Sequence, residues 1–256
     1  MIPLDEQNHF VDTSISRAST TVEIGGDKTL RCLSEGELHY LWSFLIWGSL
    51  MVPEVRKHLR QSWGFCERHA WGWLAMECSF RPDFLHGPAV LYNDLIERAH
   101  LAFTGVAYSL NLRRRLRNRE QCLMCDMGYG PHSRGYPDEY VLKHGRDLTN
   151  LEKFAAKTSQ YWGKYVCGPC MGRQDRELLC RPHLLHELSS GRLNGADIDM
   201  QRHFVVDYVF EQVSVYARSF RWECRDTKTL EGEASLITAI GWCSGWAELL
   251  KLLSIC

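Results

Sequence analysis

Eight residues in this sequence fall into pairs with two positions between the members: Cys66 and His69, Cys122 and Cys125, Cys167 and Cys170, Cys180 and His183. That spacing lets both side chains of a pair reach one tetrahedral ion from a tight knuckle or a helix start. Thiolates with a neutral imidazole suit Zn²⁺, at about 2.3 Å to sulfur and about 2.0 Å to nitrogen. One Cys-x-x-Cys pair alone says little. Four such pairs in one chain predict metal binding, with zinc expected and iron or haem left open.

Two blander roles compete. A free cysteine is often just a small buried apolar residue. That role fits Cys78, Cys224, Cys243 and Cys256, which have no close partner in sequence. Cys167-Gly-Pro-Cys170 also has the look of a thioredoxin-type redox pair, but the βαβ context that supports such a reading does not precede it.

The pairs combine in two ways. Cys167, Cys170, Cys180 and His183 lie within seventeen residues. They would close one Cys₃His tetrad, and Cys66, His69, Cys122 and Cys125 would close another. A weak internal echo suggests the alternative, since Gly64-Phe-Cys-Glu-Arg-His69 resembles Leu178-Leu-Cys-Arg-Pro-His183. On that pattern Cys122 and Cys125 pair with Cys180 and His183. Cys66 and His69 are then left with Cys32, Thr29 standing where a second cysteine would lie. Such a Cys₂His set with an open position is a catalytic zinc arrangement.

The elements that must position these pairs are helical. Leu38, Leu41, Trp42, Leu45 and Ile46 follow the helical period, and Pro53 suits the first turn of a further helix over 54–61. Helices are expected over 70–78, as one long element over 88–117, and from 139 to 165 with an interruption near Gly145. Two more run over 198–221 and 233–253. In the first of these, Phe204, Val205, Tyr208, Val209, Gln212, Val213 and Tyr216 trace one face, expected to pack on Leu236, Ile240, Leu249 or Leu250. The Gly/Pro-rich stretch 127–137 reads as loop. No segment alternates as a strand would. The expected class is therefore all-α: two weakly related helical units, 29–118 and 119–256, with Cys/His knuckles, after a flexible leader over 1–28.

Composition sets the frame. Hydrophobic residues make up 45% and charged residues 24% of the 256 residues, enough apolar material for a core without disulfides. Lys+Arg 30 against Asp+Glu 31 leaves no global basic bias toward nucleic acid. The basic run Arg113 to Arg119 reads as a helix terminus complementing the helix dipole. The polar N-terminus does not look like a secretion signal, and the longest apolar stretch is too short for a bilayer. A cytoplasmic address is expected, and there eleven cysteines would stay reduced.

Leu30-Arg-Cys32, Gly64-Phe-Cys-Glu-Arg-His69-Ala-Trp71, Ala89-Val-Leu-Tyr-Asn-Asp94-Leu-Ile, Cys122-Leu-Met-Cys125 and Cys180-Arg-Pro-His183 resemble a bacterial family of uncharacterised proteins with repeated Cys-x-x-Cys and Gly-Phe-Cys-x-x-His motifs. The stretch from Tyr216 to Ala239 is similar to that family's tail. The sequence departs from the pattern at Thr29, where the family has Cys, and in its extra Cys167/Cys170 pair. The resemblance implies helical architecture and metal binding and carries no reaction.

The expectation is a protein whose metal is mainly structural. No P-loop, G-x-G-x-x-G or G-x-S-x-G is present. The rival is a metal- or haem-dependent enzyme of small-molecule biosynthesis. Its open site would lie near Cys66 and His69, lined by Trp42, Trp47, Trp63, Phe65, Trp71 and Trp73. No catalytic residue or partner follows from the sequence, and the basic run is the sole pointer to nucleic acid.

Overall fold

Ser34 starts the first helix with a reciprocal cap: its hydroxyl accepts from Glu37 N–H, and the Glu37 carboxylate accepts from Ser34 N–H. The computed structural model describes residues 33–104 and 109–253. Within them every regular element is a helix and there is no strand. In chain order these are α1 Glu35–Ile46, α2 Pro53–Gln61, α3 Glu67–Phe80, α4 His86–Phe103, α5 Ser109–Leu116, α6 Leu123–Asp126 and α7 Glu139–Gly145. Then follow α8 Thr149–Trp162, α9 Arg181–Ser189, α10 Gly195–Gln201, α11 Tyr208–Arg218, α12 Leu230–Ser244 and α13 Ala247–Leu252. No helix among the described residues is long and apolar enough to cross a membrane.

The core is organised around α12. Every residue from Gly232 to Ser244 is buried, as expected of a helix without a polar face. Its neighbours are α3, α4, α8, α9 and α11. Its own polar side chains are satisfied locally: Thr238 donates to Ala234 C=O and Ser235 to Gly232 C=O. Buried Glu233 pairs with Lys157 at 2.8 Å and Lys228 at 3.2 Å. The helix stops at Gly245, whose φ of +120° disfavours a side chain. Helices from before and after residue 118 share this core, α4 packing on α11 and α12, and α3 on α7 and α8.

Three sequence expectations need correction. The long helix over 88–117 is divided. α4 ends at Phe103 and Thr104 turns extended, with ψ of 132°. Arg115 then donates to the carbonyls of Leu101 and Thr104, so part of the basic run caps α4 directly. The helix over 233–253 is likewise split into α12 and α13 at Gly245. The apolar face over 204–216 is also rotated. A π-helical segment, Arg202–Asp207, widens the turn ahead of α11. Val205, Val206, Val209, Val213 and Tyr216 are buried, while Phe204 is 65% exposed. The wider turn carries Phe204 round the axis, away from the stripe.

Candidate metal centres

The first centre is built on the start of α3. Cys66 is the N-cap, with extended backbone (ψ 167°), and His69 is the third helical residue. An extended cap followed by helix places both side chains on one side of the first turn. Cys122 stands just before the single turn α6, and Cys125 lies within it. That turn is held by Asp126 N–H to Cys122 C=O at 2.9 Å and Tyr129 N–H to Met124 C=O at 2.8 Å.

His69 Nδ1 lies 3.3 Å from Cys66 Sγ, 3.4 Å from Cys122 Sγ and 3.5 Å from Cys125 Sγ. Cys66 and Cys125 sulfurs are 3.8 Å apart. A tetrahedron with bonds of about 2.3 Å to sulfur and about 2.0 Å to nitrogen has edges of about 3.8 Å between sulfurs and about 3.5 Å from sulfur to nitrogen. The four ligand atoms therefore fit one small ion. His69 and Cys122 are buried, and Cys125 is at the surface.

Behind His69 stands Glu37. Its Oε1 accepts from His69 Nε2 at 3.0 Å and from Arg68 Nε at 2.6 Å; its Oε2 accepts from Arg68 Nη2 at 2.8 Å and from Ser34 N–H at 2.7 Å. Burial would raise the pKa of Glu37, but the hydrogen bonds from Arg68, His69 and Ser34 hold it at about 2. The carboxylate thus fixes the tautomer that protonates Nε2 and turns the Nδ1 lone pair toward the three sulfurs. The sequence reading missed Glu37 and Arg68. The Ser34-x-x-Glu37 pattern signals a helix cap in sequence; its contact with His69 arises only from folding.

The second centre repeats the plan. Cys180 is the N-cap of α9, with ψ of 158°, and His183 is its third residue. Cys170 lies in a 3₁₀ turn over Pro169–Met171, and Cys167 directly precedes its N-cap Gly168. His183 Nδ1 is 3.1 Å from Cys180, 3.3 Å from Cys167 and 3.5 Å from Cys170, and the Cys170 and Cys180 sulfurs are 3.7 Å apart. Gln201 clamps the connecting loop, accepting from Leu179 N–H at 2.9 Å and donating to Glu177 C=O at 2.5 Å.

In the protein alone each cluster concentrates one thiolate. A hydrogen bond from Cys66 holds Cys122 down at about 3, and the same bond pushes Cys66 far up. Burial, then the charge of Cys122, raises Cys125 to about 11. Hydrogen bonds from Cys170 and Cys180 hold Cys167 well below the thiol range, and hydrogen bonding to Cys167 and Cys170 lifts His183 to about 10. A divalent ion would replace the shared protons, so its uptake releases protons.

All eight predicted residues are thus brought together, in the compact grouping. The echo grouping, which pairs Cys122 and Cys125 with Cys180 and His183, does not occur. Cys32, Thr29 and Cys256 lie outside the described residues, as does the 1–28 leader. Among the described residues, the predicted aromatics pack elsewhere than over the first centre. Trp63, Phe65 and Trp71 are buried in ring contacts with Trp242, Trp73 and Trp246, Trp42 packs on Phe80, and Trp47 is exposed. The Cys167/Cys170 turn sits beside two further ligand-type side chains, not at a strand–helix junction.

Both knuckles dock on the end of α12. Trp71 Nε1 donates to Gly245 C=O at 2.9 Å, and Ser244 donates to Phe65 C=O at 3.0 Å. From the other centre, Arg181 donates to Cys243 C=O at 3.0 Å, to Leu116 C=O at 3.1 Å and to Asn118 Oδ1 at 2.7 Å.

Comparison with known proteins leaves the reading to this geometry: no family model, no curated protein and no solved structure matches the chain.

Proposed function

We propose that this protein is an intracellular, metal-stabilised helical binding module holding two zinc ions, each by three thiolates and one imidazole, and that the metal is structural. One observation carries the reading. Each cluster supplies four side-chain ligands at tetrahedral edge lengths, which leaves no position for a substrate or a reactive water. Catalytic zinc sites keep that position open. The placement agrees, because each centre ties a knuckle to its helix start, α3 or α9, and both starts bond to the end of α12. The enzyme reading required an aromatic-lined opening over Cys66 and His69, whereas Trp63, Phe65 and Trp71 are buried in ring contacts with other core aromatics.

Metal analysis and an absorption spectrum of the purified protein test this. Two zinc ions per chain in a colourless protein, with Co²⁺ substitution giving intense tetrahedral bands, are expected. A Soret band, a sulfur-to-iron band, or substoichiometric metal with an exchangeable water ligand would overturn the structural assignment.

A further inference from the structure

The metal centres leave unused a buried acid farther along α3. Glu77 lies eight residues beyond His69, about 12 Å along the helix, and is 4% exposed. Its carboxylate makes no ion pair with any described residue. The indole N–H of Trp73 reaches toward it, yet that N–H is buried without a partner at normal hydrogen-bond geometry. Burial pushes the Glu77 carboxyl up to about 7, against the pull of Arg81 and Trp73.

These groups face a cavity of about 130 Å³ between the end of α1, the Ser49–Met51 turn, α3 and the start of α4. Phe44, Leu50, Trp73 and Phe84 form apolar walls. Two other titratable groups line it. Burial holds His86 below its ordinary value, which keeps it neutral at pH 7. Arg81 stands at the rim, donating to Leu45 C=O at 3.3 Å. Gly87 keeps the floor clear: a Cβ there would lie 3.0 Å from Glu77 Oε1 and 3.3 Å from the Trp73 ring.

A buried carboxyl in an aromatic cavity is costly when its nearest cation, Arg81, acts on it only at a distance and makes no ion pair with it. We propose that this cavity binds a small organic ammonium, an amine carrying an aromatic or short alkyl body, through Glu77. The ammonium donates to the carboxylate, and the body packs on Phe44, Trp73 and Phe84, whose ring faces attract cations. A neutral Glu77 gives its proton to solvent as the ammonium arrives, and the Trp73 N–H becomes a second donor to the ionised carboxylate. An anionic ligand would have no ion pair to make with Glu77 and would find a cation only in Arg81 at the rim. This site is separate from both metal centres.

Calorimetry on the full-length protein with its metal content intact tests the proposal, with 2-phenylethylamine as probe. Phenylacetate and 2-phenylethanol serve as the anionic and neutral counterparts. The amine should bind at least tenfold more tightly than either. At pH 6 its binding should release protons, read as a heat that varies with the buffer's protonation enthalpy. Glu77→Gln should weaken it tenfold or more. Gly87→Ala, which only adds a methyl against the carboxylate, should weaken it while the thermal midpoint stays within a few degrees. No detectable amine binding, phenylacetate binding as tightly as the amine, or unchanged affinity in both variants would overturn the assignment.

Discussion

Glu37 and His69, thirty-two positions apart, are joined by a hydrogen bond of 3.0 Å that turns the opposite ring nitrogen of His69 onto three cysteine sulfurs. The same carboxylate closes the capping box of α1, so ligand orientation and helix initiation share one side chain. Glu37→Gln keeps an oxygen for His69 but loses the charge that holds Arg68. Loss of an outer-shell carboxylate typically costs about 10–100-fold in metal affinity. The variant should therefore lose metal to a competing chelator first from one centre, with metal in the Cys167 centre retained. Equal affinity of variant and wild type in that competition would remove Glu37 from the coordination scheme.

The two centres should empty independently. Cys170→Ser removes a ligand of the C-terminal centre, and Cys125→Ser one of the N-terminal centre. Each is expected to lower metal content by about one ion per chain, and the double variant by about two. Cys170→Ser should also destabilise the fold, because its loop is short and closes around the ion at little chain-entropy cost. Unchanged stoichiometry in Cys170→Ser, measured by elemental analysis, would count against that centre.

The ligand pairs were legible because a two-residue spacing is itself geometry: an extended cysteine cap with histidine at the third helical position encodes a chelating turn in four letters. The helical class was legible for a similar reason, since apolar positions recur with the helical period. What joins pairs distant in sequence was not legible. Nothing in the spacing decides whether Cys122 and Cys125 meet His69 or His183; that depends on how the helices pack round α12. Phe204 fails for a subtler reason, because one π turn shifts the register without changing a residue. The Glu77 cavity draws its walls from α1, α3, α4 and a 3₁₀ turn. Of the aromatics around it only Trp73 reads in sequence as a candidate, and then for the metal site; Phe44 and Phe84 carry no such signal.

The rotated face of α11 gives a paired stability test. Leu236 on α12 is fully buried, whereas Phe204 is 65% exposed. Leu236→Ala should cost ~2–5 kcal/mol through lost burial and a residual cavity. Phe204→Ala should stay within ~0.5 kcal/mol, as exposed substitutions do. Denaturant unfolding of the two variants reads both values. A cost of several kcal/mol at Phe204 would mean that the π segment is absent and that the regular helical register of the sequence is the correct one.

Acid exposes the contribution of Glu37 separately from that of the metal. Its folded pKa of about 2 lies below the unfolded carboxylate value of about 4.3. A depressed carboxylate stabilises the fold at pH above the unfolded value, and that contribution disappears as pH falls through the folded value. The shift of about two units corresponds to on the order of 3 kcal/mol, present at pH 5 and lost progressively toward pH 2. Thiolate protonation also releases metal on the way down, and at higher pH in Glu37→Gln, so the metal-free forms of the two proteins are compared. The informative quantity is the difference in unfolding free energy between the two proteins at each pH. It should be largest near pH 5 and shrink between pH 4 and pH 2. A difference that stayed constant over that range would show that Glu37 acts through packing alone, its ionisation contributing nothing to the fold.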